Sequence, residues 1–326
     1  MIVTIDEAIH AYERLPKEKK SFCYHPLFLI EDIKNKENVE LCFFLIKENE
    51  SVFYYAFYKG RIPNTVFYDI ESPSNYGGPI ILGNEDFREQ STQTFLKWCK
   101  DAKVMVEFTK FHPVLENHNT YYGERIFNRE TVIIDLVKED IIRHFSTRIR
   151  TAIKKAIKEK VKIVISKERK YIQEFIKIYN SLMSEKNTSQ HYFFSTDYYE
   201  SLLKNEKTIL VSAINENEEV IASSIFFLES EITEYHLSAA TEEGRYTSAT
   251  HLIIYEFIRY AQQNGAKLLY LGGGNSTEPT NSLLFFKKGF SKRVMPFYIG
   301  YQIHFKEEYE ALKALYSNPK TILFYR

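Results

Sequence analysis

Three consecutive glycines, Gly272, Gly273 and Gly274, follow an apolar run in the stretch LYLGGGNSTEPTNSLLFFKKGF, residues 269–290. No Gly-Lys-Ser/Thr follows them, and their spacing is not Gly-x-Gly-x-x-Gly, so the two common phosphate-binding loops are excluded. Glycine permits positive φ angles and lets another molecule approach bare backbone. The run therefore predicts either the floor of a ligand cleft at a strand end or a tight turn that needs no ligand.

The polar residues after the glycines allow the same two interpretations. Asn275 and Asn281 suit a turn and a helix cap, and they equally suit ligand contacts. Lys287 and Lys288 stand near the end of a short aromatic helix that Gly289 would terminate, and most lysines in such places are solvated. Residue type alone does not choose between a binding site and an ordinary loop–helix junction.

The segment EYHLSAA, residues 234–240, offers a base for proton transfer near neutral pH. Histidine is the side chain whose ordinary pKa lies closest to neutrality, so His236 is the candidate base on this predicted strand. Side chains alternate between the two faces of a strand, so Tyr235 and His236 point to opposite faces. We expect one of the two to face a cleft.

A basic helix is predicted near residues 143–162, with an apolar face for the core and many cations outside it. A solvated basic face is the simple interpretation, and the alternative is an anion site for a nucleotide diphosphate, a lipid phosphate or a tRNA backbone. The cations are Arg143, Arg148, Arg150, Lys154, Lys155, Lys158, Lys160 and Lys162.

Two further candidates lie in the first half of the chain. Tyr76 stands on the glycine turn SNYGGP, where its ring could line an acceptor cleft, although a proline-ended turn explains the glycines equally well. His112 precedes a proline in KFHPV, which favours an extended or turn conformation. It could hydrogen-bond an acceptor sugar or serve as a structural histidine.

Composition narrows the class of protein. The 326 residues suggest about two domains at roughly 150 residues each. The 43 basic and 43 acidic residues balance, which argues against a general nucleic-acid coat but leaves a local basic patch open. The N-terminus has no signal-peptide core, the cysteines are three and scattered, and no metal-binding motif occurs, so we expect a cytoplasmic protein with reduced thiols and no metal site.

The order of predicted elements indicates an α/β protein with mixed (α+β) sheets. From about residue 139 the order is helix, strand, two helices, three strands, a long helix, a strand, a short helix and an extended segment. The first half gives a rougher version of this order. We therefore predict two similar domains in tandem, residues 1–140 and 141–326, each a central mixed sheet flanked by helices, with a cleft in the second.

Several short stretches together resemble the Fem-like acyltransferases, which are bacterial tandem proteins of the GNAT superfold. Each stretch is weak alone, and their order and spacing carry the resemblance between about residues 75 and 310. The stretches are NYGGP (75–79), FTKFHPVLENH (108–118), RETVIIDL (129–136), FSTRIRTAIKKAIKEKVKI (145–163), YHLSAA (235–240), LGGGN (271–275) and LFFKKGFS (284–291).

The resemblance implies the GNAT fold, acyl transfer and a site. Relatives of this kind take an amino acid from charged tRNA or act as N-acyltransferases near surface-polysaccharide genes. By resemblance Lys287, directly after Phe286, faces the reacting carbonyl, where a fixed ammonium would stabilise the developing oxyanion. The resemblance also puts an arginine at Arg150, although Thr151 replaces the asparagine that usually follows. The site then contains Tyr76, His112, Arg150, Tyr235, His236, Gly272, Gly273, Gly274, Asn275, Phe286 and Lys287.

The donor stays open between acyl-CoA and aminoacyl-tRNA, with no tightly bound cofactor expected. Acetyl-CoA enzymes of this superfold carry a glycine-rich turn before the long helix, whose backbone N–H groups bind pyrophosphate. Here that run is EEGRYTSATHLI, with Gly244 alone. We expect acyl or aminoacyl transfer to an amine of a cell-envelope or surface-glycan precursor, on a small-molecule or lipid-linked glycan acceptor. The alternative is a silent GNAT-derived module that binds a nucleotide sugar or glycan.

Overall fold

The structure is a computed structural model that describes residues 1–186, 193–278, 281–317 and 319–326. Its helices are α1 (Ile5–Glu13), α2 (Pro26–Ile33), α3 (Glu85–Asp101), α4 (Thr147–Lys158), α5 (Arg169–Glu185), α6 (Thr196–Lys204), α7 (Glu242–Tyr246), α8 (Ala249–Gln263), α9 (Ser282–Lys288) and α10 (Lys306–Lys313). Its strands are β1 (Val39–Glu48), β2 (Ser51–Arg61), β3 (Tyr68–Glu71), β4 (Ile80–Leu82), β5 (Val104–Lys110), β6 (Glu124–Asp135), β7 (Lys162–Ile165), β8 (Thr208–Ile214), β9 (Val220–Leu228), β10 (Ile232–Ala240), β11 (Leu268–Gly273) and β12 (Val294–Ile303).

The chain divides into two compact units. The first unit contains Met1–Arg129 and Pro296–Arg326, and the second contains Glu130–Met295. The sequence-based division at 140/141 differs from these bounds, because it assigned the last segment of the chain to the second domain. The residues after Met295 instead return to the first unit, where Ile299–Ile303 of β12 pair with β5. That each unit is a separate GNAT-like domain stays a prediction.

The first unit is built on a mixed sheet in the order β1-β2-β3-β5-β12, with β4 also paired to β2. Most neighbours are antiparallel, and β3 and β5 are parallel. An aromatic core covers β1 and β2. In this core the ring centroid of Phe95 of α3 lies 4.9 Å from that of Phe44 and 5.5 Å from that of Phe53. Phenylalanines and tyrosines, which are abundant in the sequence, pack against one another in this core.

The second unit has a mixed sheet in the order β6-β11-β10-β9-β8-β7. The pair β10–β11 is parallel and the other pairs along it are antiparallel. Helices α4 and α8 pack together over a core cluster in which Phe257 of α8 stacks on Phe226 of β9 at 3.7 Å. Helix α5 contacts β9 and β10. This arrangement confirms the predicted mixed α/β class and the predicted element order of this part of the chain.

Local sequence explains where these helices begin. The predicted helix from 139 starts instead at Thr147, because Asp140 has a positive φ of 49° and Ser146 caps the helix by accepting a hydrogen bond from the Ile149 amide. The long predicted helix is preceded by the short α7, whose cap is Thr241. The NENE turn predicted between β8 and β9 is confirmed by the antiparallel register of these strands.

Candidate active site

Strands β10 and β11 separate soon after they begin. They pair in parallel only through Ile232–Glu234 and Leu268–Tyr270. Beyond this point β10 stays paired with β9 as far as Ala240, and β11 stays paired with β6 as far as Gly273. A register shift lies at the same level in both pairings, between Tyr235 and Leu237 and between Tyr270 and Gly272. We call the diverging residues, 235–240 and 271–273, the β10–β11 fork.

Lys287 places its ammonium at this fork. Its side chain comes from α9 and is 7% exposed. The Nζ atom donates a hydrogen bond to the Gly273 carbonyl at 2.7 Å and lies 5.8 Å from the centroid of the Tyr235 ring. Burial lowers the pKa of Lys287 from 10.5 to about 7. The lysine is therefore a desolvated cation that titrates near neutrality, a property common at functional sites.

The glycine run makes room for this lysine and for the cap of its helix. Gly272 has a φ of 77°, and a β-carbon there would lie 3.3 Å from the Lys287 Nζ. A β-carbon on Gly274 would lie 2.3 Å from Oδ1 of Asn281. Asn281 caps α9 by accepting from the Leu284 amide at 3.0 Å. The glycines thus permit the lysine and the cap to approach the strand end, and residues 279 and 280 of the loop lie outside the described residues.

Asn275 is engaged by the loop itself. Its Oδ1 accepts a hydrogen bond from Nδ2 of Asn281, which also donates to the Ser276 hydroxyl at 3.0 Å. Of the two interpretations open from the sequence, these contacts favour the turn and cap over a ligand contact. Asn275 therefore shapes the loop between β11 and α9.

Tyr235 and His236 lie on opposite faces of β10, as the sequence predicts. Tyr235 packs on Phe226, 5.3 Å between ring centroids, and lies on the same side as Lys287. His236 stacks on Phe227 at 4.4 Å. Burial lowers the pKa of His236 to about 4, with the charge of Glu234 acting weakly in the other direction. The structure thus brings Tyr235 to the lysine and places His236 away from it.

Phe286 and its neighbour Phe285 point to different environments. Phe286 packs against the core cluster, with its ring 5.0 Å from His251 and 5.4 Å from Phe290. Phe285 is 63% exposed, and the Arg148 guanidinium lies over its ring at 4.2 Å and donates to its carbonyl at 2.9 Å. Sequence reasoning named Phe286 and missed this exposed Arg148–Phe285 pair. The periodicity of a helix turns adjacent residues of α9 in different directions, and this could have suggested that Phe285 is exposed.

Arg150 holds the start of its own helix. Its guanidinium donates to the carbonyls of Phe145 at 2.8 Å and Arg143 at 3.3 Å, and to the Thr147 hydroxyl at 3.1 Å. These bonds satisfy carbonyls just before α4. They leave fewer N–H donors of the Arg150 guanidinium for binding an anion. The exposed cations further along α4 are Lys154 and Lys158.

Tyr76 and His112 belong to the first unit and contact each other. Their rings are 4.9 Å apart in an edge-to-face arrangement, and Tyr76 also lies 5.9 Å from Phe297. His112 is 0% exposed, and its Nδ1 accepts from the Val114 amide at 3.2 Å. Next to them, Asn117 donates to the Gly77 carbonyl at 3.0 Å and fixes the glycine turn. The two predicted acceptor residues are thus neighbours in an ordered aromatic cluster.

The chain between β10 and α8 carries acidic residues rather than a glycine-rich turn. Glu242 and Glu243 occupy the first turn of α7, and the Thr241 hydroxyl accepts the Gly244 amide at 3.1 Å. A β-carbon on Gly244 would lie 2.0 Å from the Ile221 carbonyl oxygen, so this glycine serves close packing on β9. Between Thr241 and Ser248 the chain therefore lacks the glycine-rich run of backbone N–H groups that binds pyrophosphate at a helix start.

Among the residues that the structure describes, no helix combines the length and apolar character that crossing a membrane requires.

In the first unit Cys99, Glu107 and His304 lie close enough together to act as metal ligands, although no metal motif is visible in the sequence.

Comparison with known proteins identifies the fold. Residues 143–282, within the second unit, match the family model of the acetyltransferase (GNAT) domain. A search of curated protein sequences returns no significant match. Among solved structures, FemX is 13% identical with a TM-score of 0.72, over 96% of this chain and 99% of that chain.

Two structures of a second kind share the fold. The C-terminal domain of a protein described as a lysylphosphatidylglycerol synthetase from Agrobacterium fabrum is 11% identical with a TM-score of 0.61, over 96% of this chain and 97% of that chain. The L-PGS of Bacillus licheniformis is 13% identical with a TM-score of 0.57, over 84% of this chain and 87% of that chain. At these identities the likeness establishes the fold, and it extends well beyond the residues that the family model matches.

Proposed function

This chain has the fold of the Fem-like acyltransferases of the GNAT superfold, and we propose that it transfers an aminoacyl or acyl group to an amine of a cell-envelope or surface-glycan precursor. The observation that carries the proposal is the buried Lys287 ammonium at the β10–β11 fork, 2.7 Å from the Gly273 carbonyl. A desolvated cation at the divergence of two strands suits a reaction that builds negative charge on a carbonyl oxygen.

In the proposed step the acceptor nitrogen attacks the carbonyl carbon of an ester or thioester. The carbonyl π electrons move to oxygen, and the Lys287 ammonium stabilises this oxyanion. Collapse of the tetrahedral intermediate breaks the carbon–oxygen or carbon–sulfur bond, and the leaving atom takes a proton. The attacking amine loses its proton to water or to the substrate. An amine needs no strong base to attack. This agrees with the β10–β11 fork, where Tyr235 lies beside Lys287 and His236 does not.

For the donor we favour aminoacyl-tRNA over acyl-CoA. The acidic first turn of α7, with Glu242 and Glu243, would repel a pyrophosphate at the position where the superfold binds it. A basic face lies instead on α4, where Lys154 and Lys158 are exposed. Arg148 of the same helix contacts α9, which carries Lys287. A polyanionic donor lying along α4 would therefore bring its ester towards the fork.

The class of acceptor is proposed from the similar structures, one of which comes from a protein described as a lysylphosphatidylglycerol synthetase. That description names a lipid, and FemX shares this chain's fold over nearly its whole length. We accordingly propose a lipid-linked or nucleotide-linked glycan precursor that carries a free amine. The predicted acceptor role of His112 is not part of this proposal, because that side chain is 0% exposed and packs against Tyr76.

The test is a transfer assay on the purified chain with two donor pools, charged tRNAs and acyl-CoAs, and with amine-bearing envelope precursors as acceptors. Lys287→Met keeps the length of the side chain and removes the charge, and we expect it to lower kcat by about 10²- to 10³-fold. The matched control is Lys288→Met, since Lys288 is exposed and pairs with Glu130 at 2.7 Å. Intact turnover in Lys287→Met would remove the oxyanion role. Acceptor binding without turnover on either pool would favour the silent binding module.

A further inference from the structure

A buried cluster of potential metal ligands joins three elements of the first unit. Cys99 lies near the end of α3, Glu107 lies on β5 and His304 follows β12 directly. One donor atom from each residue lies within 4.8 Å of the other two. Cys99 and Glu107 are 0% exposed, and the His304 side chain is 2% exposed. His304 is far from Cys99 and Glu107 along the chain, so no local spacing reveals the cluster.

The imidazole of His304 has an unsatisfied nitrogen that faces this cluster. Its Nε2 atom is buried and makes no hydrogen bond to any described residue, although it lies 3.9 Å from Oε2 of Glu107. That distance is too long for a hydrogen bond. The His304 backbone amide donates to the Met105 carbonyl at 2.8 Å, which fixes the residue beside β5. A buried, unpaired nitrogen costs free energy unless it has a partner such as a metal ion.

The side chain of Glu107 is held by two tyrosine hydroxyls. Oε1 accepts from the Tyr121 hydroxyl at 2.7 Å, and Oε2 accepts from the Tyr122 hydroxyl at 3.1 Å. Both donors are neutral. The cluster thus brings sulfur, nitrogen and oxygen ligand atoms together away from water, an arrangement that suits a bound cation.

We propose that Cys99, Glu107 and His304 bind a zinc ion that joins α3, β5 and the segment after β12. Thiolate, imidazole and carboxylate are the three ligand types that zinc takes in proteins. The two tyrosines orient the ligating carboxylate from outside. Zinc bonds of about 2.0–2.3 Å require donor atoms roughly 3.3–3.8 Å apart, so the Glu107–His304 distance is already close. Binding releases the Cys99 thiol proton to solvent, and a water molecule completes the tetrahedron.

The direct test measures metal content in the untagged full-length chain, expressed with added zinc and freed of loosely bound metal by gel filtration. We expect about one zinc ion per chain by elemental mass spectrometry. Cys99→Ala and His304→Gln should each lose most of it. Cys42→Ala is the matched control, because Cys42 is another buried free cysteine of the same core cluster, and it should keep the metal. A zinc-free wild-type chain, or zinc retained by Cys99→Ala and His304→Gln, would overturn the proposal.

Two further measurements test the site even if Cys99→Ala or His304→Gln does not fold. Refolding the wild-type chain with Co²⁺ should give thiolate-to-cobalt charge-transfer absorption, which is absent if Cys99 is not a ligand. Glu107→Gln separates the two possible reasons for the buried carboxylate. If the carboxylate binds zinc, the variant melts at a lower temperature and loses metal. If it is only an uncompensated charge, the variant melts at an equal or higher temperature, and the zinc site is wrong.

Discussion

The Lys287 ammonium lies against the Gly273 carbonyl, and this contact joins the helix α9 to the end of β11. Among the residues that the structure describes, Gly273 is the one hydrogen-bond acceptor of the Nζ atom. An ammonium has three N–H donors, so two remain for a ligand oxygen at the β10–β11 fork. The lysine is thus held in place by the backbone while keeping donors for a substrate.

The first prediction concerns the pH dependence of transfer. An ammonium with a pKa of about 7 is charged below this pH and neutral above it. If the charged form stabilises the oxyanion, kcat/KM should fall as pH rises through about 7, while the acid side reports deprotonation of the acceptor amine. Steady-state rates from pH 5 to 10 test this, and Lys287→Arg should move the alkaline fall upward. A rate that keeps rising to pH 9 would show that neutral lysine acts instead.

The second prediction is that the buried Lys287 lowers the free energy of unfolding at neutral and acidic pH. The folded-state pKa of Lys287 lies below the unfolded value, so its contribution to stability is present above the unfolded pKa and is lost as pH falls through about 7. At pH 6–7 Lys287→Met should therefore raise the free energy of unfolding by about 1–3 kcal/mol, because a buried charge is removed. Urea unfolding at pH 6 and pH 10 measures the change, which should shrink at the higher pH. An equal change in the free energy of unfolding at both pH values would contradict the pKa shift.

The third prediction concerns Gly272. Its φ of 77° is strained for any residue with a β-carbon, and that carbon would lie 3.3 Å from the Lys287 Nζ. Gly272→Ala should therefore cost about 1 kcal/mol in stability and reduce kcat more than KM, since it displaces the ammonium. Gly265→Ala is a useful control for backbone strain alone. Gly265 also has a positive φ of 79°, but among the described residues other than its chain neighbours no atom lies within 4 Å of its β-carbon position. Equal kcat in both variants would remove the positioning role of Gly272.

Sequence reasoning succeeded where the signal is local. The element order from α4 to α9 follows from apolar periodicity and turn residues, and it placed Lys287 on a short helix after a glycine turn. The return of the chain to the first unit after Met295 has no local signal, since it depends on β12 pairing with β5. The His304–Glu107 contact was out of reach for the same reason. Alternation along β10 gave two faces for Tyr235 and His236 but not which face meets the lysine.

The fourth prediction separates the two candidate catalytic residues. His236 stacks on Phe227, and its pKa of about 4 means that it is neutral across the physiological range. His236→Phe keeps an aromatic ring there and should leave kcat within about 3-fold of wild type, unlike Lys287→Met. The folded-state pKa is depressed, so wild-type stability falls as pH drops from 6.5 to about 4, and the variant should lose less. A large loss of kcat with unchanged stability would restore His236 as a base.

The fifth prediction tests whether a polyanionic donor lies along α4. Lys154 and Lys158 are one helical turn apart on the exposed side of this helix, where reversal of charge leaves the core face untouched. The double variant Lys154→Glu/Lys158→Glu should raise KM for the tRNA donor at least about 10-fold with little change in kcat.

The salt dependence of this effect distinguishes phosphate contacts from a general change of surface charge. The slope of log KM against log salt should fall by about one for each lost phosphate contact. Lys177→Glu/Lys204→Glu, which reverses two exposed cations on α5 and α6, carries the same change in net charge elsewhere on the second unit. If both double variants raise KM equally, the donor follows net charge rather than the α4 face. If neither variant affects a tRNA donor, binding through α4 is wrong and acyl-CoA becomes the better candidate.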